Sequence, residues 1–317
     1  MLGHRSRMDS LIRSAVLIAL GVALGSSAAW AQNPSAEQKP AAAPADWKAV
    51  DQAMGREGKM QPGDVYKYSF PRGDLQVKLA GVAIKPALAL GGWVAFRRMG
   101  GDAMAMGDLV LLEEEVTPVL TKLQEMGVTL TALHNHVLRE SPPVMYLHIE
   151  ARGVPTKIAQ AVHAALALTR TPPAKPDAAQ PMEPFPLDTA KIATALGRGG
   201  KVNGGVYQVS VPRGEPVRAE GMEVPPSMGV ATAINFQPTS AGKAALTGDF
   251  VLIAREVNPV IQALRGARIE ITALHSHMLT EEPRLFFMHF WANDDAVALA
   301  RGLRSALDRM NVKKATS

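Results

Sequence analysis

Apolar and polar residues alternate along several short stretches in each half of the chain. Residues 65–70 and 75–84 show this pattern in the first half, and residues 206–211 show it in the second. Alternation with a period of two residues is typical of strands that bury one face. Each half is therefore predicted to begin with several short β-strands.

A strand that leads into a helix is predicted next in each half. Residues 109–113 and 250–254 are apolar strands, after which the apolar positions take helical spacing. The start of each helix is indicated by a capping residue before a first-turn proline, Thr117-Pro118 in the first half and Asn258-Pro259 in the second. The end of each helix is indicated by a nearby glycine, Gly127 or Gly266.

A hairpin and a final amphipathic helix, near residues 156–168 and 295–310, complete each half. Each half thus ends in the order β-α-β-β-α. This order predicts an α+β fold, in which an antiparallel sheet carries helices packed on one face.

The two halves are copies of one unit. Three motifs recur 141 residues apart: Pro71-Arg72-Gly73 as Pro212-Arg213-Gly214, Gly107-Asp108 as Gly248-Asp249, and Thr131-Ala132-Leu133 as Thr272-Ala273-Leu274. A tandem duplication is therefore predicted, and we expect the two copies to pack on each other. The predicted divisions are a signal peptide (1–31), a Pro/Ala-rich tether (32–46), repeat 1 (47–170), a Pro-rich linker (171–187) and repeat 2 (188–317).

The first 31 residues have the features of a secretory signal peptide. Three arginines precede an apolar core at residues 15–24, and Ala29-Trp30-Ala31 is a small-x-small cleavage site. The apolar core is too short to span a bilayer. We therefore expect an exported protein, periplasmic or extracellular, with no stable membrane insertion after cleavage.

Charge and cysteine content narrow the chemistry. Without residues 1–31 the chain has 31 basic and 28 acidic residues, a net charge of +3, which gives no support for nucleic-acid binding. There is no cysteine, which excludes disulfides, thiolate metal sites and cysteine nucleophiles. Any metal ion would have to be bound by His, Asp or Glu.

Three histidines recur in each predicted hairpin: His134, His136 and His148 in repeat 1, and His275, His277 and His289 in repeat 2. Residues i and i+2 of a strand share a face, so His134 and His136 are expected to point the same way. A turn centred on Ser141 would place His134 opposite His148, and a turn centred on Glu282 would pair His275 with His289. The alternation also makes the histidines continue the core-facing stripe that begins at Val128.

Converging, buried imidazoles favour a metal site. Their nitrogens need partners, and protonated rings would repel one another. A divalent metal ion satisfies both requirements, and three histidines leave one coordination position open, which suits zinc best. The chain would then be a hydrolase-type enzyme, or a non-catalytic envelope protein that binds a metal or small ligand. The third alternative is a structural or interaction protein with hydrogen-bonded core histidines.

Carboxylates could complement the histidines. Glu140 and Glu281, four residues past the second histidine of each repeat, are candidate fourth ligands or general bases. The remaining shared charged residues are interpreted as helix-start carboxylates, namely Asp108, Asp249, Glu115 and Glu256, and as turn residues able to bind an anion, namely Arg72 and Arg213.

Three of these segments resemble a known bacterial family. The Gly-Asp-Leu/Phe-Val-Leu strand, the Glu-Val-x-Pro segment and the Thr-Ala-Leu-His-x-His hairpin are similar to those of the LppY/LpqO family of exported proteins. The resemblance extends from Trp47 to about Met310 and implies a tandem-duplicated domain of unknown function. It brings no established activity. Some members look like lipoproteins, but this chain has no lipobox cysteine, so membrane anchoring does not carry over.

Overall fold

The computed structural model describes residues 47–173 and 184–314. The predicted signal peptide, the tether and most of the linker lie outside the described residues. Within the described ranges, no helix is long and apolar enough to cross a membrane. These ranges form two tandem α+β domains dominated by antiparallel sheets, as the sequence predicts.

The two domains contain eighteen strands and seven α-helices in the described residues. Repeat 1 comprises α1 (Trp47–Met54), β1 (Lys59–Gln61), β2 (Val65–Pro71), β3 (Lys78–Leu79), β4 (Val82–Ala83), α2 (Pro86–Ala89), β5 (Gly91–Met99), β6 (Asp102–Leu112), α3 (Glu113–Glu125), β7 (Thr129–His134), β8 (Glu140–Ser141), β9 (Val144–Gly153) and α4 (Pro155–Leu166). Repeat 2 comprises α5 (Thr189–Leu196), β10 (Lys201–Asn203), β11 (Val206–Pro212), β12 (Val217–Ala219), β13 (Met222–Val224), a 3₁₀ turn (Pro226–Met228), β14 (Ala231–Ser240), β15 (Lys243–Leu252), α6 (Ala254–Gly266), β16 (Glu270–His275), β17 (Glu281–Glu282), β18 (Phe286–Asp295) and α7 (Ala296–Leu307).

Each repeat is built on a six-stranded antiparallel sheet. The strand order is β1-β2-β5-β6-β9-β7 in repeat 1 and β10-β11-β14-β15-β18-β16 in repeat 2. The strand that follows the long helix, β7 or β16, lies at the sheet edge. The last strand, β9 or β18, passes between that edge strand and the strand before the helix. The strand that carries the third histidine is therefore central in its sheet.

Helices cover one face of each sheet. Helices α1, α3 and α4 pack on the first sheet around buried side chains that include Phe96, Leu109 and Val162. Helices α5, α6 and α7 pack on the second sheet in the same way. Full burial of such a side chain stabilises the fold by about 1.5–3 kcal/mol. Each repeat therefore has a hydrophobic core between the apolar side of its helices and one face of its sheet.

The other face of each sheet contributes to two apolar clusters shared by both repeats. One joins Met104 and Met106 of repeat 1 to Val251 and Phe287 of repeat 2. The other joins side chains of β6 and β9 to Val206, Ala245 and Trp291. Residues of β6, β9, β15 and β18 that point away from the helices therefore lie between the two sheets.

The predicted helix starts are wrong by five residues. Helix α3 begins at Glu113 and includes Pro118, and α6 begins at Ala254 and includes Pro259. The start of α3 is fixed by Glu115, whose Oε2 accepts a hydrogen bond of 2.9 Å from the backbone N–H of Leu112. This is the reciprocal contact of a capping box, and Glu256 makes it at 3.0 Å with the N–H of Ile253. The helix-start role predicted for Glu115 and Glu256 is confirmed.

Candidate metal centre

The predicted register of the first hairpin is wrong by two residues. His134 pairs with Tyr146, and Ala132 rather than His134 pairs with His148. A β-bulge between Leu130 and Ala132 inserts an extra residue into β7. The same bulge between Ile271 and Ala273 pairs His275 with Phe287 and Ala273 with His289.

The bulge also changes the face on which the first histidine lies. Leu130, before the bulge, packs on the helix side of the sheet. His134, after the bulge, stacks on His275 of the other repeat. One extra residue reverses the alternation, so the histidines do not continue the stripe that begins at Val128. They lie on the face between the two sheets.

His136 and His277 reach the same place by a different route. Strands β7 and β16 end at His134 and His275, so both residues lie in the following loop and not on the strand. Their rings nevertheless lie 5.1 Å from His134 and 4.8 Å from His275, respectively, between ring centroids. The predicted sharing of a strand face is wrong, although the predicted proximity is present.

All six histidines form one group, which we call the six-histidine cluster. Its closest ring contacts each join one residue of repeat 1 to one of repeat 2: His134 with His275 at 3.6 Å, His136 with His289 at 3.8 Å, and His148 with His277 at 3.7 Å between centroids. Tyr146 stacks on His136 and Phe287 stacks on His277. The sequence has three of these histidines in each repeat, and the structure brings both sets to one location.

Two sets of these histidines have the spacing of metal ligands. In each set, one ring nitrogen from every residue lies within 4.8 Å of the chosen nitrogens of the others. The first set is His134, His275, His277 and His289, and the second is His134, His136 and His148. Ligand nitrogens around a tetrahedral zinc ion are about 3.4 Å apart, given Zn–N bonds of about 2.05 Å. The side chains of either set would have to move closer together to bind one ion.

Unpartnered nitrogens are concentrated in this cluster. Among the described residues, Nε2 of every one of the six rings is buried without a hydrogen-bond partner, as is Nδ1 of His275. Nδ1 lies 3.0 Å from the Asn135 carbonyl oxygen in His134 and 2.9 Å from the Gly248 carbonyl oxygen in His289. A carbonyl oxygen only accepts, so Nδ1 carries the proton in both rings and Nε2 presents a lone pair. This is the tautomer that can bind a metal ion through Nε2.

Burial keeps the imidazoles uncharged at neutral pH. It lowers the pKa of His134 to about 4 and that of His275 to about 3. Burial lowers the pKa of the other four well below the usual value, and neighbouring imidazoles lower it further. Neutral imidazole is the form that binds metal ions, so no proton has to be displaced at pH 7.

Two aspartates that the sequence analysis assigned elsewhere border the cluster. Asp108 lies in β6 opposite His148, with its Oδ1 3.8 Å from Nε2 of that ring. Asp249 Oδ2 lies 3.9 Å from His277 Nε2. Burial raises the pKa of Asp108 to about 7, and burial and the charge of Asp108 raise the pKa of Asp249 well above its usual value.

The helix-start interpretation of Asp108 and Asp249 is wrong, since both are strand residues several positions before α3 and α6. A signal was present in the sequence. Each is an acidic residue in the interior of a strand whose neighbouring residues are apolar and buried, and it recurs in both repeats.

Glu140 and Glu281 have partners within their own loops. Glu140 Oε1 accepts a hydrogen bond of 3.2 Å from the Val144 N–H, and burial raises its pKa to about 7. Glu281 Oε1 accepts one of 2.9 Å from the Leu285 N–H, and Oε2 accepts one of 3.2 Å from Arg284. Neither glutamate belongs to the two sets of ligand atoms in the described part of the chain. Their role as ligand or base stays a prediction.

Arg72 begins a turn, as predicted, because its carbonyl oxygen accepts a hydrogen bond of 3.2 Å from the Leu75 N–H. The side chains of Arg72 and Arg213, however, already have protein partners and are not anion sites. Arg72 is buried and binds Glu115 at 2.6 Å, the Val110 carbonyl at 2.8 Å and Asp74 at 2.9 Å. Arg213 makes the equivalent contacts in repeat 2. Each guanidinium already has carboxylate partners, which explains the shared Pro-Arg-Gly motif without a ligand.

Comparison with known proteins gives a family. A family model described as a domain of unknown function (DUF1259) matches residues 48–168 and again residues 190–309. The chain belongs to this family. The two matches correspond to the two repeats, so each repeat is one family domain and the chain contains two of them in tandem. The narrower resemblance to LppY/LpqO proteins stays a prediction.

Other comparisons add little. No curated protein matches the chain. Among solved structures, a trimeric bacterial microcompartment shell protein, PduB, is 14% identical, with 79% of this chain and 90% of that chain covered and a TM-score of 0.20. EtuB from Clostridium kluyveri is 10% identical with the same coverage and a TM-score of 0.18. TM-scores this low support no conclusion about fold or function.

Proposed function

We propose that this chain binds a divalent metal ion in the six-histidine cluster, with zinc as the favoured ion. The observation that carries the proposal is the set of six buried Nε2 atoms without hydrogen-bond partners, all in one place. A buried polar atom left unpaired costs about 1–3 kcal/mol. A metal ion satisfies several such atoms at once.

The alternative of histidines that hydrogen-bond in the core fits the contacts less well. A neutral imidazole has one donor and one acceptor nitrogen, and both need partners when buried. The Nε2 atom of each of the six rings has no hydrogen-bond partner among the described residues. Stacked neutral rings bring no hydrogen bonds to one another, so the ring contacts alone leave these nitrogens unsatisfied.

Metal binding is favoured over hydrolysis as the function. Glu140 and Glu281, the candidate general bases, each accept a hydrogen bond from a backbone N–H of their own loop.

Part of the proposal is that the contact between the repeats persists in solution, because each close ring pair takes one histidine from each repeat. We also propose, from the N-terminal segment, that the protein acts outside the cytoplasm.

Metal content of the purified full chain tests the proposal. After chelation, protein reconstituted with Zn²⁺ and passed through a desalting column is analysed by mass spectrometry for bound metal. The variants are His275→Phe and His134→Phe, which keep an aromatic ring in the stack. His163→Gln is the matched control, since His163 lies on helix α4 and its Nδ1 contacts the Met54 carbonyl.

We expect wild type and His163→Gln to retain zinc through the desalting column, and the two Phe variants, whose affinity should fall at least tenfold, to retain less. Circular dichroism would establish that each variant is folded. The proposal is overturned if folded wild type retains no metal, or if all four proteins retain the same amount.

A further inference from the structure

Two carboxylates and two imidazoles meet on one side of the six-histidine cluster. Asp108 approaches His148 at 3.8 Å and Asp249 approaches His277 at 3.9 Å. The His148 and His277 rings lie 3.7 Å apart. Each repeat thus contributes one aspartate and one histidine to a group of four side chains at the repeat interface.

The carboxylates have few compensating contacts. One oxygen of each, Oδ1 of Asp108 and of Asp249, is buried without a hydrogen-bond partner among the described residues. The positive charge that acts on Asp108 is Lys67, whose Nζ donates to the Ser227 carbonyl and lies over the Trp93 ring. The charge that acts on Asp249 is Asp108, which repels it. Both carboxylates can be ionised at once only if a further positive charge lies beside them.

The ligand sets of the six-histidine cluster limit the number of ions. Both sets contain His134. Its Nδ1 holds a proton shared with the Asn135 carbonyl, which leaves only Nε2 as a ligand atom. One lone pair binds one ion, so the two sets cannot be filled by separate ions at the same time.

We propose that the centre holds one divalent ion per chain and that Asp108 and Asp249 supply its counter-charge. The inference rests on the proposed metal binding. Six neutral imidazoles add no charge, so the charge of a divalent ion is balanced by the two carboxylates. A neutral group has the smallest desolvation penalty in a buried position. A monovalent ion compensates only one of the two carboxylates, so the pair favours divalent over monovalent cations.

Substitutions Asp108→Asn and Asp249→Asn test the inference, because asparagine keeps the shape and removes the charge. The matched control is Asp102→Asn, an exposed aspartate at the start of the same strand as Asp108. For each full-length protein, Zn²⁺ affinity is measured by competition with a chromophoric chelator. Ag⁺ affinity is measured by competition with an indicator that binds Ag⁺. Native mass spectrometry gives the number of ions per chain.

We expect one Zn²⁺ per chain in wild type and in Asp102→Asn. Each single change at Asp108 or Asp249 should weaken Zn²⁺ about tenfold, and the double change about a hundredfold. Ag⁺ affinity should fall by less than tenfold in the double variant, because the two carboxylates attract a monovalent ion less strongly than they attract Zn²⁺. If the double variant does not fold, the two single variants carry the same comparison.

Several results would overturn the inference. Two zinc ions per wild-type chain would contradict the stoichiometry while leaving metal binding intact. Equal losses of Zn²⁺ and Ag⁺ would mean that the aspartates act on the shape of the centre and not on its charge, and unchanged Zn²⁺ affinity would remove them from it. Wild type that binds neither ion would instead overturn the proposed function itself.

Discussion

The buried Arg–Glu pair is the contact that each repeat uses to join its central strand to its long helix. Glu115 accepts from Arg72, from the Leu112 N–H and from the Arg170 N–H, so one side chain connects β6, α3 and the segment after α4. Glu256 makes the same three kinds of contact in repeat 2, with Arg213, Ile253 and Asn311. A group with this many buried partners is difficult to replace.

Glu115→Ala is therefore expected to lower the free energy of unfolding by about 3–5 kcal/mol, because it leaves the Arg72 guanidinium buried without its main partner. Urea denaturation followed by circular dichroism measures the change. The control is Glu114→Ala, which removes an exposed carboxylate from the same helical turn. A loss for Glu115→Ala within about 0.5 kcal/mol of the control would show that the pair does not hold this junction.

At the scale of elements, the pattern of apolar positions was sufficient for the fold class and for most strands and helices. It failed where one residue changed the geometry. Nothing in the alternation from Thr129 to His134 indicates the bulge, because a bulge is set by pairing with β9 and not by the strand's own sequence. The predicted start of α3 was wrong for a related reason. Glu115 caps the helix at Leu112 and is held there by Arg72, which is distant in sequence, so the helix begins before Thr117-Pro118.

The candidate site was predicted in part for the same reason. The repeated histidines were found from spacing, because ligand-type residues recur in both copies. That His148 meets His277, and that Asp108 lies beside them, depends on the packing of two sheets that are distant in sequence. Local patterns carry no information about such contacts.

Close packing between strands gives a prediction at this scale. A Cβ added to Gly248 in β15 would overlap the Ala233 carbonyl oxygen of β14 and approach the Phe290 ring to 2.9 Å. The Gly248 carbonyl is also the acceptor for His289 Nδ1. Gly248→Ala is therefore expected to destabilise the protein by about 1–3 kcal/mol and to weaken zinc binding. Thermal and chelator-competition measurements check both effects.

Gly266→Ala is the matched control, because a Cβ at that position, at the end of α6, meets no atom within 4 Å. It should change stability by less than about 1 kcal/mol and leave zinc affinity unaltered. Equal behaviour of the two variants would mean that β14 and β15 have room to separate, contrary to the packing described here.

For the whole molecule, the position of the six-histidine cluster means that the proposed metal binding would depend on both repeats together. Each close ring pair joins the repeats, and Thr272 Oγ1 donates to the His136 carbonyl across the same interface at 2.6 Å. An ion bound by histidines of both repeats would stabilise both, because unfolding either one would release it. A site confined to one repeat would stabilise that repeat alone.

Zinc at about a hundred times its dissociation constant is expected to stabilise the metal-free chain by about 2.7 kcal/mol, or roughly 4–5 °C in Tm for a chain of this size. Amide hydrogen exchange locates the effect. Protection should rise in β9 and in β18, which carry His148 and His289, and by similar amounts. His275→Phe should show neither change, and His163→Gln should behave as wild type. Protection confined to one of these two strands would place the ion within a single repeat and contradict a centre shared by both.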